Sequence, residues 1–252
     1  MKKKKLMMAV VSASLVGVVA IGGTLAYLSD KSKTVTNTFN VGKGYVDDNK
    51  HVGLWLDETK KTGDENPTEI DLVNRTEEGV QYDEMLPGSV VAKDPTFHLT
   101  KESTNSYVFA EVKGLDALVK AGFVVSDTDL NNVPEPASNL SDSWQKVADF
   151  GDDQDAGLDG LYIYGIKDSW AEGGIQPMTP GGGEDGYTYD AMFNYVKYSS
   201  TVENGQHDAN YKNGLNDVTI RGVAVQEANL TWQQAQVEAE KVLAGPTATP
   251  EL

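Results

Sequence analysis

Three histidines, His51, His98 and His207, are the only imidazoles in the chain, and there is no cysteine. A helical zinc peptidase needs two histidines four residues apart with a glutamate between them. None of the three stands in that arrangement, and a thiolate site or a cysteine nucleophile is excluded outright. His98 lies between Thr96 and Thr100 and reads as a solvated histidine on the polar face of a strand. The acidic loop Gly151–Gly160 offers Asp152, Asp153, Asp155 and Asp159. Calcium takes six to eight oxygens, so this loop is the calcium candidate, and no other cofactor is expected. The EF-hand pattern fails there, because the twelfth residue from Asp153 is Tyr164; otherwise the loop is simply a solvated acidic one. Gly181-Gly182-Gly183 follows Pro180 and lacks the lysine and hydroxyl of a phosphate loop. No serine sits in a Gly-x-Ser-x-Gly elbow. The carboxylate pairs Asp57-Glu58 and Glu77-Glu78 are adjacent, and adjacent residues of a strand face opposite ways. Trp55, Tyr107, Phe109, Tyr162 and Tyr164 suit either sugar stacking or cross-strand packing. No enzyme is visible in these residues.

The organising stretch is the N-terminus. Lys2–Lys5 precede an apolar run from Leu6 to Ile21 that contains Ser12, Ser14 and Gly17. A spanning helix wants about 20 apolar residues, so the run reads as a secretory signal peptide, cleaved between Ala26 and Tyr27, and not as a membrane anchor. Residues 1–26 carry four lysines and no acid, so the exported chain of 226 residues has 17 bases against 38 acids, a net charge near −21. Nucleic acid binding, which rests on cationic contacts with phosphate, is excluded by that balance. An exported chain without cysteine must draw its stability from its core, and this length can supply one.

The elements follow from periodicity. Tyr27–Gly42 is polar with Thr34, Val35, Thr36, Asn37, Thr38 and Phe39 at its centre, and reads as a strand or an extended arm. Val52, Leu54 and Leu56 alternate with polar positions as in a half-buried strand. Thr59–Glu69 is a charged loop. After the Pro87-Gly88 turn, Val91, Lys93, Pro95, Phe97 and Leu99 share one strand face. Past the turn Ser103–Ser106, Val108, Ala110 and Val112 form the apolar face of the next strand, a hairpin partner or a partner across a sandwich. A short helix over Leu115–Ala121 ends at Gly122, before a strand at Phe123–Val125. Trp144–Phe150, Leu161–Ile166, Tyr187–Val196 and Val218–Gln226 are further strands. Thr231 with Gln234 opens a helix through a capping box, and Trp232, Ala235, Ala239, Val242 and Leu243 share one of its faces. Many short strands with marginal helices predict a mainly antiparallel β-sandwich over residues 44–244, between an arm or first strand at 27–43 and a flexible tail at 245–252.

The segments Gly22-Gly23-Thr24-Leu25-Ala26-Tyr27-Leu28-Ser29-Asp30 and Thr36-Asn37-Thr38-Phe39-Asn40-Val41-Gly42 resemble the N-termini of TasA, camelysin and related exported proteins of Gram-positive bacteria. Leu86–Thr96 resembles the family's Pro-Gly segment leading into a Lys-Asp-Pro strand, and Ser106-Tyr107-Val108 continues it. The family often has an aromatic where Leu28 stands. The resemblance implies a jelly-roll sandwich, processing by a dedicated signal peptidase, contact with the membrane only during export, and a place in the extracellular matrix or on the cell surface. It also implies assembly with other copies or related matrix subunits, by addition of an N-terminal strand to the next subunit; Thr34–Phe39 would be that strand. The same residues read equally as the first strand of their own subunit. Two other functions remain open at this point: a monomeric surface module that binds glycan or protein through its loops, and a camelysin-like metallopeptidase.

Overall fold

The computed structural model describes residues 29–31, 45–131, 135–149, 157–167, 174–213, 215 and 217–245. The expected cleavage site at Ala26 and Tyr27, the strand candidate Thr34–Phe39 and the loop aspartates 152, 153 and 155 lie outside these residues, as does the tail beyond Gly245.

Thirteen strands, all paired antiparallel, make three sheets among the described residues. The largest has the order β1 (Ser29–Lys31), β13 (Thr219–Gln226), β6 (Ser106–Lys113), β9 (Gly160–Lys167) and β10 (Ile175–Pro177), with β8 (Trp144–Asp149) also paired to β9. A second sheet runs β11 (Tyr187–Thr188), β5 (Thr96–Leu99), β2 (Leu54–Thr59) and β3 (Arg75–Thr76). The third joins β4 (Val90–Ala92), β12 (Tyr195–Tyr198) and β7 (Phe123–Ser126). The three helices are α1 (Leu115–Lys120), α2 (Asn204–Asn213) and α3 (Trp232–Ala244). The mainly antiparallel β-sandwich with short helices and a C-terminal one is thus what the chain forms.

Alternation builds the core. Val108, Ala110 and Val112 of β6 point inward with Tyr162 and Tyr164 of β9 and Ala224 of β13. They meet Leu54, Phe97 and Leu99 of the second sheet and Val91, Phe123, Val125 and Val196 of the third. Trp144 lies in the same cluster, its indole nitrogen donating to the Asp190 carbonyl at 2.8 Å. The opposite face of the large sheet is buried too. Phe109, Leu161, Ile163, Val223 and Val225 pack beneath Ala235, Ala239 and Leu243 of α3. That helix starts at the expected capping box, with Thr231 accepting from the Gln234 amide and Gln234 from the Thr231 amide. Buried apolar area of this kind contributes roughly 25 cal/mol per Å², so a sheet covered on both faces explains how the chain folds without disulfides.

Two expected strands are each divided. Val91–Leu99 breaks at Lys93–Pro95, and its halves join different sheets. Pro95 has no amide hydrogen to continue a ladder, and Asp94 instead accepts the Thr59 amide at 2.7 Å. Tyr187–Val196 breaks likewise into β11 and β12 around the buried Tyr189, Met192 and Phe193. Strands β5 and β6 do not pair with one another; they are partners across the sandwich.

Candidate functional site

Among the described residues, the β13 edge of the large sheet is the feature that stands out. All eight residues of β13 pair with β6. On its other side β1 covers only Val223–Val225, in the register Ser29 to Val225 and Lys31 to Val223. Among the described residues no strand pairs with Thr219–Arg221 on that side. A strand edge with unpaired main-chain groups can accept a further strand. The start of β13 also borders two depressions. A cleft of about 190 Å³ runs past Leu56, Glu58, Lys93 and Ile220, and a groove of about 890 Å³ past Met85, Val91, Leu118, Phe123 and Tyr198. Val218 and Thr219 line both. The polar end of the groove carries His207 and Asn210 of α2, with Asn210 Nδ2 donating to the Tyr198 hydroxyl at 2.9 Å.

Beside the cleft lies a charged network that sequence reasoning missed. Arg75 on β3 reaches across β2 to two buried carboxylates. Its Nε is 2.7 Å from Asp57 Oδ1 and its Nη1 is 2.6 Å from Asp94 Oδ2. Burial by itself would raise the Asp57 carboxyl, but hydrogen bonds from His98 and Arg75 outweigh it and hold that group below the ordinary carboxylate range. On the opposite face of β2, Glu58 pairs with Lys93 at 2.5 Å and accepts the Val80 amide. The two adjacent carboxylates therefore face opposite ways, as their strand positions require, and each is held by a cation.

His98 corrects an expectation. It is not a solvated surface group: its ring stacks on Trp55 at 4.0 Å, and Nε2 and Nδ1 lie 3.0 Å from Asp57 and Thr188. His51 stacks on the other face of Trp55, also at 4.0 Å. With its indole enclosed between two imidazoles, Trp55 offers no free face to a sugar. Tyr162 and Tyr164 are core residues and Phe109 lies under α3, so the five aromatics form no common stacking surface.

Asp159, the described member of the acidic loop, serves a structural purpose. Its carboxylate accepts the amides of Gly114 at 2.9 Å, Leu115 at 2.8 Å and Asp116 at 3.3 Å, capping α1 from the start of β9, the strand beside β6 in the same sheet. Gly114 has no side chain to do this itself. Replacing Asp159 with alanine is expected to cost about 1–2 kcal/mol, the usual effect of losing a helix cap, read as a lower denaturant midpoint. Unchanged stability would mean that water replaces the carboxylate. Among the described residues no three histidine, aspartate or glutamate side chains converge as metal ligands.

Fold and edge together define an antiparallel sandwich whose main sheet closes on a short N-terminal strand. Residues 1–77 match the family model described as camelysin metallo-endopeptidase, a span that includes β1, β2 and β3. Over these residues the chain is similar to the camelysin and TasA family. No curated protein and no solved structure matches the chain. Among the described residues no helix is long and apolar enough to cross a membrane.

Proposed function

We propose that the chain is an exported structural subunit of a Gram-positive cell surface or biofilm matrix, assembling with further copies by strand addition at the β13 edge. The observation that carries this reading lies in β13, which among the described residues pairs along eight residues with β6 and along three with β1. Main-chain hydrogen bonds of an added strand supply affinity, and the flanking side chains supply selectivity. Were the β1 register continued residue by residue, Thr34 would face Ile220 and Val35 would face Thr219, whose strand start borders the cleft and groove. Made within one chain, this pairing closes the sheet. Made between chains, the same pairing links subunits head to tail, and a contact of that kind propagates into a filament unless its rotation closes a ring.

In this reading the chain is not an enzyme, needs no cofactor, and is released by a dedicated signal peptidase cutting between Ala26 and Tyr27. Its acidity keeps the free subunit soluble through self-repulsion. Deleting residues 27–36 from the processed chain should abolish filaments in electron micrographs while leaving the far-ultraviolet β signature intact. Filaments from the deleted chain would sink the assignment of the donated strand.

A further inference from the structure

Helix α2 begins on a pair of residues whose chemistry strand addition does not use. Asn204 and Gly205 are its first two residues, and both are exposed. An asparagine side chain followed by glycine can close on the next main-chain nitrogen. Glycine has no β-carbon to screen that nitrogen, and it leaves the backbone free to turn. The chain contains one other Asn-Gly pair, Asn213-Gly214 at the far end of the helix, of which Gly214 lies outside the described residues.

The position leaves both reacting groups accessible. The first four amides of a helix have no acceptor within it, and Gly205 falls among them. The earliest bond of α2 back to the preceding chain runs from the His207 amide to the Glu203 carbonyl, at 3.0 Å. A β-carbon on Gly205 would meet nothing within 4 Å beyond its own stretch of chain. Among the described residues the Asn204 side chain makes no hydrogen bond. Asn210 on the same helix is the opposite case. Both hydrogens of its side-chain amide are used, on the Ala121 carbonyl at 2.8 Å and the Tyr198 hydroxyl at 2.9 Å, and Tyr211 follows it.

We propose that Asn204-Gly205 is a site of spontaneous main-chain modification, in which the Gly205 nitrogen attacks Asn204 Cγ. The new N–Cγ bond forms as the Cγ–Nδ2 bond breaks, and the side-chain nitrogen leaves as ammonia with the Gly205 amide proton. Water then opens the five-membered imide. Cleavage at Cγ gives aspartate; cleavage at the main-chain carbonyl carbon gives isoaspartate, with the chain rerouted through the former side chain. Water is the only co-reactant, and the reaction does not depend on whether the chain assembles.

Helix α2 is placed to transmit the change. Its first turn contains no acid, although Glu203 stands just before it, and either product adds a negative charge there. The isoaspartate form also lengthens the main chain at the helix start. Gln206 and Asn210 follow on the same helix and hold the end of α1. Gln206 Nε2 donates to the Lys120 carbonyl at 3.1 Å, and Asn210 to that of Ala121. The last carbonyls of a helix have no partner within it, so a shift of α2 removes what satisfies these two.

Peptide mapping by mass spectrometry, after the folded full chain has stood in mildly alkaline heavy-oxygen water, tests this. The expected result is aspartate and isoaspartate at position 204, each carrying the oxygen label, while Asn139, Asn210 and Asn229 stay intact. Gly205→Ala, whose β-carbon has room, should slow the conversion roughly tenfold by screening the nitrogen and restricting the backbone. Asn204 that survives in the folded chain while the same residue converts in urea would overturn the proposal. Conversion at the same rate in Gly205→Ala would overturn it too.

Discussion

Replacing Arg75 with methionine is expected to lower the unfolding free energy by about 3–5 kcal/mol, the cost of removing one partner from a buried ion pair. The side chain of Arg75 is 12% exposed, and those of Asp57 and Asp94 are 7% and 2% exposed. Without the guanidinium, two carboxylates remain out of water, and the Asp94 side chain keeps its bond from the Thr59 amide. The second guanidinium nitrogen of Arg75 also donates to the Asp94 carbonyl at 3.1 Å, and methionine leaves that carbonyl with the Thr96 hydroxyl bond at 2.8 Å. The loss should depend on pH in a definite direction. A carboxyl lowered in the folded state, as Asp57 is, contributes stability above its unfolded value near 3.9 and loses it as the pH falls. In the variant an unpaired carboxylate can take up a proton instead. The gap between variant and parent should thus be widest at neutral pH and narrow towards pH 4, read from urea midpoints across that range. A gap that stays constant would mean that the arginine acts through packing alone.

Valine at Gly222 should cost about 3 kcal/mol, the upper end of the range for forcing atoms into a filled core. Gly222 lies mid-strand in β13 opposite Ala110, and a β-carbon there would collide with the Phe97 ring and the Leu54 side chain. Both neighbours are buried, at 0% and 2% exposure, and Phe97 is itself packed against Trp144 with centroids 5.5 Å apart. Neither ring has open space to move into. For a chain of this size the melting temperature should fall by roughly 6–12 °C. Shortening Phe97 to leucine in the same chain should recover part of the loss, because the removed ring edge is what the new methyl groups meet. An unchanged melting temperature for Gly222→Val would place the close approach of the two sheets elsewhere.

What was legible in the sequence was periodic or local. The alternation of Val108, Ala110 and Val112 gave β6 its inward face, and Thr231 with Gln234 marked the start of α3. Phe109 shows the limit of alternation: it points away from the main core and is still fully buried, because α3 covers the outer face of the sheet. Helix α2 left no trace of an apolar stripe, since Asn204–Asn213 is polar almost throughout. Its place is set by Asn210, which donates to the Ala121 carbonyl and the Tyr198 hydroxyl. The network of Asp57, Arg75 and Asp94 and the rings of His51, Trp55 and His98 join residues up to 47 positions apart, a proximity that only the pairing of β2 with β3 and β5 creates. Asp159 was read by its acidic neighbours, whereas its role follows from an amide cluster 43–45 residues away. The position of β13 between β1 and β6 was equally hidden, because the sequence signals a strand and not which strands flank it.

The proposed strand addition is tested most directly by cysteine pairing between chains, since the sequence contains no cysteine of its own. One batch of processed protein would carry Thr34→Cys and a second Ile220→Cys, the pair that the proposed continuation of the β1 register would set side by side. The two batches would be mixed under mild oxidation at rising concentration. The account predicts a disulfide joining the two different chains, growing with concentration and in step with filaments in electron micrographs. A disulfide that forms only when both cysteines are placed in one chain, with none between chains at any concentration, would contradict it and leave the N-terminal strand as the closing edge of a single subunit.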